Sequence, residues 1–105
     1  MSDEIRVLFV TIAPDKAEAF AEAICRARVV ACVNVLPGVR SHYWWQGELC
    51  HDDECVLFME TAADRLDAAM AKIAELHPYD TPKIVALEPA AVSPAYARWC
   101  IAETR

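Results

Sequence analysis

The segment His77-Pro78-Tyr79-Asp80-Thr81-Pro82 is the most unusual polar stretch of the chain. Its two prolines remove backbone freedom, and its imidazole can ligate a metal or accept a proton. The ordinary role of a histidine at a helix end is humbler: a hydrogen bond, or a cation facing the negative end of the dipole. Cys32 stands between Ala31 and Val33 in a strand-like run. A free cysteine there is by default a small buried hydrophobe. Proximity to His77 would make it a soft-metal ligand, because thiolate and imidazole together suit copper or zinc.

Cys50-His51-Asp52-Asp53-Glu54-Cys55 gathers two thiols, an imidazole and three carboxylates in six residues. On a strand, Cys50 and Cys55 point to opposite faces, and no C-x-x-C spacing is present, so the stretch reads as a solvated hairpin segment. Cys25 and Cys100 fall on helical stretches beside apolar residues and read as packing. A nucleophilic set can be written as Cys32, His77 and Asp80, but such sets are defined by geometry rather than membership. No nucleophile elbow, glycine-rich phosphate loop or H-E-x-x-H pattern accompanies it. Two glycines in the whole chain leave little material for a backbone phosphate cradle. The expectation is a protein without catalytic activity.

The elements that must position these residues centre on Ala31 to Thr61. Two runs rich in Val, Leu, Cys and aromatic residues flank a turn containing Gly47, the pattern of a long β-hairpin. Pro37-Gly38 interrupts the first arm, and strand-like residues resume at Val39, which predicts a bend or bulge within a continuing strand. Before the hairpin, Ile5 to Ile12 is nearly continuous in apolar residues, as in a strand buried on both faces. Pro14 and Asp15 suit the start of a helix running to Arg28, with Phe20, Ala21, Ile24 and Ala27 on one face.

After the hairpin, Thr61-Ala62-Ala63-Asp64 has capping-box spacing. Leu66, Ala69, Met70 and Ile73 then stripe a second helix that Pro78 stops at about His77. Ile84 to Leu87 is a fourth strand, and Ser93-Pro94 opens a last helix with Tyr96, Trp99 and Cys100 on one side. The order is that of an α+β, ferredoxin-like βαββαβ domain over residues 1–105, with an added C-terminal helix. Right-handed crossovers place the first two helices on one sheet face and leave the other bare. The first and third strands are apolar at successive positions, so the bare face asks for other copies of the same sheet: a closed homo-oligomer. The hairpin tip, with Tyr43, Trp44 and Trp45, is too long for a chain of this size to cover and reads as a subunit contact.

Composition agrees. The hydrophobic fraction of 56% exceeds the usual figure of about 45–50%. A formal charge of −6 argues against nucleic acid or an anionic membrane as the main partner. There is no signal-like N-terminus and no apolar stretch near the ~20 residues of a membrane span. With an odd number of cysteines, five, these features predict a cytoplasmic protein with free thiols.

Ala31-Cys32-Val33-Asn34 with Pro37-Gly38, Ser41, Tyr43-Trp44-Trp45-x-Gly47, Glu54, Thr61, His77-Pro78-Tyr79-x-x-Pro82 and Tyr96-x-x-Trp99 resembles the CutA divalent-cation tolerance family over nearly the whole chain. The resemblance implies a compact homotrimer akin to the PII signalling proteins, with no established catalytic activity. It also implies a role in tolerance to copper and other divalent metals, with no metal required for folding. Where copper ligation is proposed in the family, this chain has Thr11 at one place and Leu76-His77 at the other. His77 is therefore the ligand carried over, with Cys32 as the thiol of the family motif. Glu60 stands where the family usually has Lys before the threonine, which removes a cation from any anion-binding cleft. The rival readings are a PII-like small-molecule sensor, with Tyr43, Glu54 and Tyr79 lining a cleft between subunits, and a trimeric interaction scaffold. Trp44, Trp45 and Trp99 are the expected interface aromatics.

Overall fold

The computed structural model describes residues 4–105; the first three residues of the expected 1–105 domain lie outside the described residues. The elements are β1 (Ile5–Ile12), α1 (Pro14–Arg26), β2 (Cys32–Trp45), β3 (Glu48–Ala62), a short 3-10 turn (Ala63–Arg65), α2 (Leu66–Leu76), β4 (Ile84–Leu87) and α3 (Pro94–Glu103). The sheet is antiparallel throughout, in the order β2-β3-β1-β4. Among the described residues no helix is long and apolar enough to cross a membrane.

The period-2 alternation of β1 and β3 divides the molecule. Leu8, Val10 and Ile12 of β1 and Cys55, Leu57 and Met59 of β3 point to one side, where they close over Ala17, Phe20, Ala21 and Ile24 of α1 and Ala69 and Ile73 of α2. All of these side chains are buried. This is the principal core, and both helices lie on it as the crossover rule requires.

α1 begins at Pro14, whose missing N–H costs nothing in the first turn. It ends two residues earlier than its apolar period suggests, because Arg28 takes a left-handed φ of +64°. The continuing strand across Pro37-Gly38 is present: the register of β2 against β3 shifts between Leu36 and Val39, and Gly38 takes φ +80°. Beyond the bulge the hairpin runs on to a two-residue turn, with Gln46 at φ +51° and Gly47 at +82° between paired Trp45 and Glu48. Positive φ at both central residues is the type I′ signature, whose twist matches that of the strands. The long hairpin stretches the molecule to 43 × 27 × 23 Å.

Three expectations are corrected. Thr61 does not cap the turn that follows; its hydroxyl is buried and donates to the Val29 carbonyl at 2.7 Å, tying β3 to the loop after α1. Ser93 does occupy the N-cap of α3, but its side chain makes no capping bond; the backbone carbonyl accepts from Ala97 N–H at 3.0 Å instead.

The second sheet face, finally, is not bare along its whole length. α3 covers one end, where Ala97 and Cys100 pack on Ile5, and the Tyr96 hydroxyl donates to Glu60 at 2.9 Å. Arg28 to Glu103 (3.0 Å) and Arg105 to Asp64 (2.9 and 3.0 Å) pin the end of the helix. What remains uncovered is an apolar strip built from Phe9, Phe58, Val56, Val85, Leu87 and Leu36, half-buried or exposed in the protomer.

Candidate functional site

The residues of the His77 segment and the outer half of the hairpin meet in a cleft of about 890 Å³. Its walls are the end of β1 (Thr11, Ala13), the hairpin from Ser41 to Trp45 and from Asp52 to Glu54, and the segment Tyr79 to Thr81 with Lys83. The carboxylates of Asp52, Asp53, Glu54 and Asp80 thus share the cleft with one ammonium, that of Lys83.

His77 holds the near wall in place. α2 ends at this residue, its backbone N–H closing the last turn on Ile73 at 2.9 Å, while its ψ of 134° sends the chain outward into Pro78. The Tyr79 N–H donates to His77 Nδ1 at 3.2 Å, which makes Nδ1 the acceptor and leaves Nε2–H to donate to the Thr11 carbonyl at 2.9 Å. The ring is buried, edge-on to Phe20 at 5.3 Å and to Tyr79 at 4.5 Å between centres. Both nitrogens are therefore engaged within the protomer.

Tyr79, so positioned, donates its hydroxyl to Glu54 Oε2 at 2.7 Å. Glu54 is only 6% exposed although it lies on the outer hairpin. Tyr43 donates in the same way to Asp52 on the facing strand. Burial, then the Glu54 acceptor, pushes the Tyr79 phenol well up. The bond to Asp52 is the first cause that raises Tyr43 to about 12. Tyr96 is raised too, by burial and then by Glu60.

These are the only three tyrosines of the chain, so phenolate absorbance should stay low at about pH 10, where the unfolded chain is half ionised. Each phenol ionises more readily in the unfolded chain. Its contribution to stability is complete below the ordinary phenol range and is lost as pH rises through the folded value, about 12 for Tyr43. A spectrophotometric titration with a single step near pH 10 in native buffer would contradict the paired phenols.

Cys32 lies elsewhere. It pairs with Glu60 on β3, whereas Thr11, which holds His77, pairs with Val56. Four positions along a strand are ~13 Å, so the structure does not bring Cys32 and His77 together, and the set with Asp80 is not assembled in this protomer. Burial and then the Glu60 carboxylate raise the Cys32 thiol, which disfavours thiolate. All five cysteines are free. Cys50 and Cys55 do take opposite faces, Cys55 in the core and Cys50 beside Tyr43. Trp44, Trp45 and Trp99 are all exposed, Trp44 at 72%, and Trp99 packs against Tyr96 at 5.5 Å between ring centres. Among the described residues, no three His, Cys, Asp or Glu side chains are grouped to hold a metal ion.

Residues 6–103 match the family model for the CutA1 divalent ion tolerance protein. The chain belongs to that family. The divalent-cation tolerance protein CutA of Thermus thermophilus is 36% identical over 94 residues, 89% of this chain and 91% of its own. The Pyrococcus horikoshii protein of the same name is 34% identical over 101 residues, 94% and 98% of the two chains. Among solved structures, CutA from Xylella fastidiosa matches with a TM-score of 0.91 at 31% identity, covering 97% of this chain and 99% of its own. The PII-like protein CutA from a Nostoc species, in apo form, matches with a TM-score of 0.90 at 31% identity, covering 95% and 97%.

Within this CutA1 domain the motif residues His77, Tyr79 and Glu54 are joined by hydrogen bonds, and Tyr43, bonded separately to Asp52, lines the same cleft as Tyr79 and Glu54. Sequence reasoning missed Asp52 as the partner of Tyr43 and the Thr11 carbonyl as the partner of His77. Asp52 was legible by counting back from the turn, since Trp45 opposite Glu48 sets Ser41 opposite Asp52, diagonal to Tyr43. The Thr11 contact, joining residues 66 apart, had no local signal.

Proposed function

We propose that the protein is a cytoplasmic, homotrimeric divalent-cation tolerance protein that serves the response to metal ions by binding copper or another divalent metal, without catalysing a reaction. The observation that carries the reading is the family match across residues 6–103. The uncovered apolar strip of the sheet supports assembly, because apolar area of this kind on a small chain is stabilised when another copy buries it. The reading takes folding to need no metal, in keeping with the apolar core of Leu8, Val10, Ile24, Leu57 and Ile73. Cys32 and His77 remain the soft-ion candidates from the motif, each acting with groups other than the other. His77 would have to release Thr11 or Tyr79 to ligate.

A second reading is favoured by the cleft itself. Its volume suits a small molecule, its walls mix aromatic rings with hydrogen-bonding groups, and the Nostoc relative is described as PII-like. Tyr43, Glu54 and Tyr79 line the cleft, which an adjoining subunit would complete around a ligand.

Titration of reduced protein with Cu(I), Cu(II) and Zn(II), with sedimentation to fix the oligomer, tests both. Binding at a whole-number ratio per subunit supports the metal reading. Binding no tighter than to an unrelated acidic protein, together with a small molecule that raises the melting temperature in metal-free buffer, would replace it with the sensor reading.

A further inference from the structure

We infer that the outer hairpin carries a divalent-metal site of its own, made by His42 and His51. The two residues are directly opposite in the β2–β3 register, and their rings stack with centres 5.7 Å apart and planes at 30°. Both are exposed in the protomer. Counting back from the two-residue turn, the pairs alternate from Trp45–Glu48 outward, so His42–His51 is a non-hydrogen-bonded pair, the kind whose side chains lie closest. Two imidazoles on one tetrahedral zinc, with Zn–N near 2.0–2.1 Å, hold their ring centres roughly 5 Å apart. A small side-chain rotation therefore turns the stacked pair into a chelate without moving the backbone.

The surroundings suit a cation. Asp53 follows His51 by two on the same strand face and adds negative charge to the patch. Arg40, opposite Asp53, offsets that charge, and Trp44 and Leu49 flank the pair on the turn side. Two imidazoles completed by water select the borderline divalent ions, Zn(II), Ni(II) and Cu(II), over Mg(II) or Ca(II). The site does not use Cys32 or His77. It deepens the proposed metal-binding reading by supplying ligands and an ion class, and in that sense rests on it.

The chain has three histidines, so imidazole NMR of the intact protein reads every one. Titration with Zn(II), and separately with Ni(II), should shift or broaden the His42 and His51 ring signals together at one ion per subunit while His77 is unmoved. Binding should weaken about 10-fold or more in His42→Ala and in His51→Ala, because each variant loses the chelate partner, and it should fall on acidification as protons compete for the imidazoles. Both side chains are exposed, so circular dichroism of the variants should match the parent. Zn(II) binding undiminished in the double variant would overturn this site and leave the metal reading standing. No binding of Zn(II), Ni(II), Cu(II) or Cu(I) by the parent protein would overturn both.

Discussion

Phe58→Asp should convert the proposed trimer into a folded monomer with the mass of one 11.7 kDa chain. Phe58 stacks on Phe9 with ring centres 5.3 Å apart, in the middle of the sheet face that α3 leaves uncovered. In the monomer an aspartate there would reach water, beside Asn34 and near the Lys83 ammonium that sits 4.2 Å over Phe9. In a trimer built on this face it would be a buried carboxylate without a partner. That penalty is several kcal/mol per ion, and a symmetric assembly repeats it in every subunit. Sedimentation equilibrium and far-ultraviolet circular dichroism on the same sample decide the matter. A trimer that survives the substitution would put the interface elsewhere, with the exposed Trp44, Trp45 and Trp99 as the next surfaces to change.

His77→Ala should cost about 3 kcal/mol of stability, measured by denaturant unfolding at fixed protein concentration. The substitution strands the Thr11 carbonyl and the Tyr79 N–H, both of which now bond the ring, and opens space beside Phe20. It should also loosen Tyr79 from Glu54, so that the Tyr79 phenol ionises at lower pH than in the parent. His77→Gln, able to restore one of the two hydrogen bonds, should fall between. A loss below about 0.5 kcal/mol would mean that the buried imidazole is replaceable. The paired variants also guard the metal titration, since they separate a ligand lost from a wall collapsed.

The elements were legible in the residues because their physical signals are local. The apolar run Ile5 to Ile12, the helical stripe of Phe20, Ala21 and Ile24, and the stop at Pro78 each follow from backbone geometry within a few positions. So did the bulge at Pro37-Gly38, since a strand that resumes after a proline must bend around it. The capping expectations at Thr61 and Ser93 failed for a related reason. A hydroxyl competes among several partners, and for Thr61 the winner is the Val29 carbonyl, 32 residues back, which no local pattern reveals.

The site divides in the same way. Which residues carry the family motif, and that the chain is acidic, thiol-bearing and built as a split βαβ sheet, were written in residue identity and spacing. The pairing of His42 with His51 was implicit there as well, but it required a two-residue turn in which Gln46, not a glycine, takes positive φ. Only the tertiary structure decided that His77 spends both nitrogens on Thr11 and Tyr79, that Cys32 lies away from it, and that α3 closes one end of the second face. These are contacts between segments far apart in sequence. Their energy depends on where burial and hydrogen bonding are jointly best satisfied, a property of the packed chain as a whole.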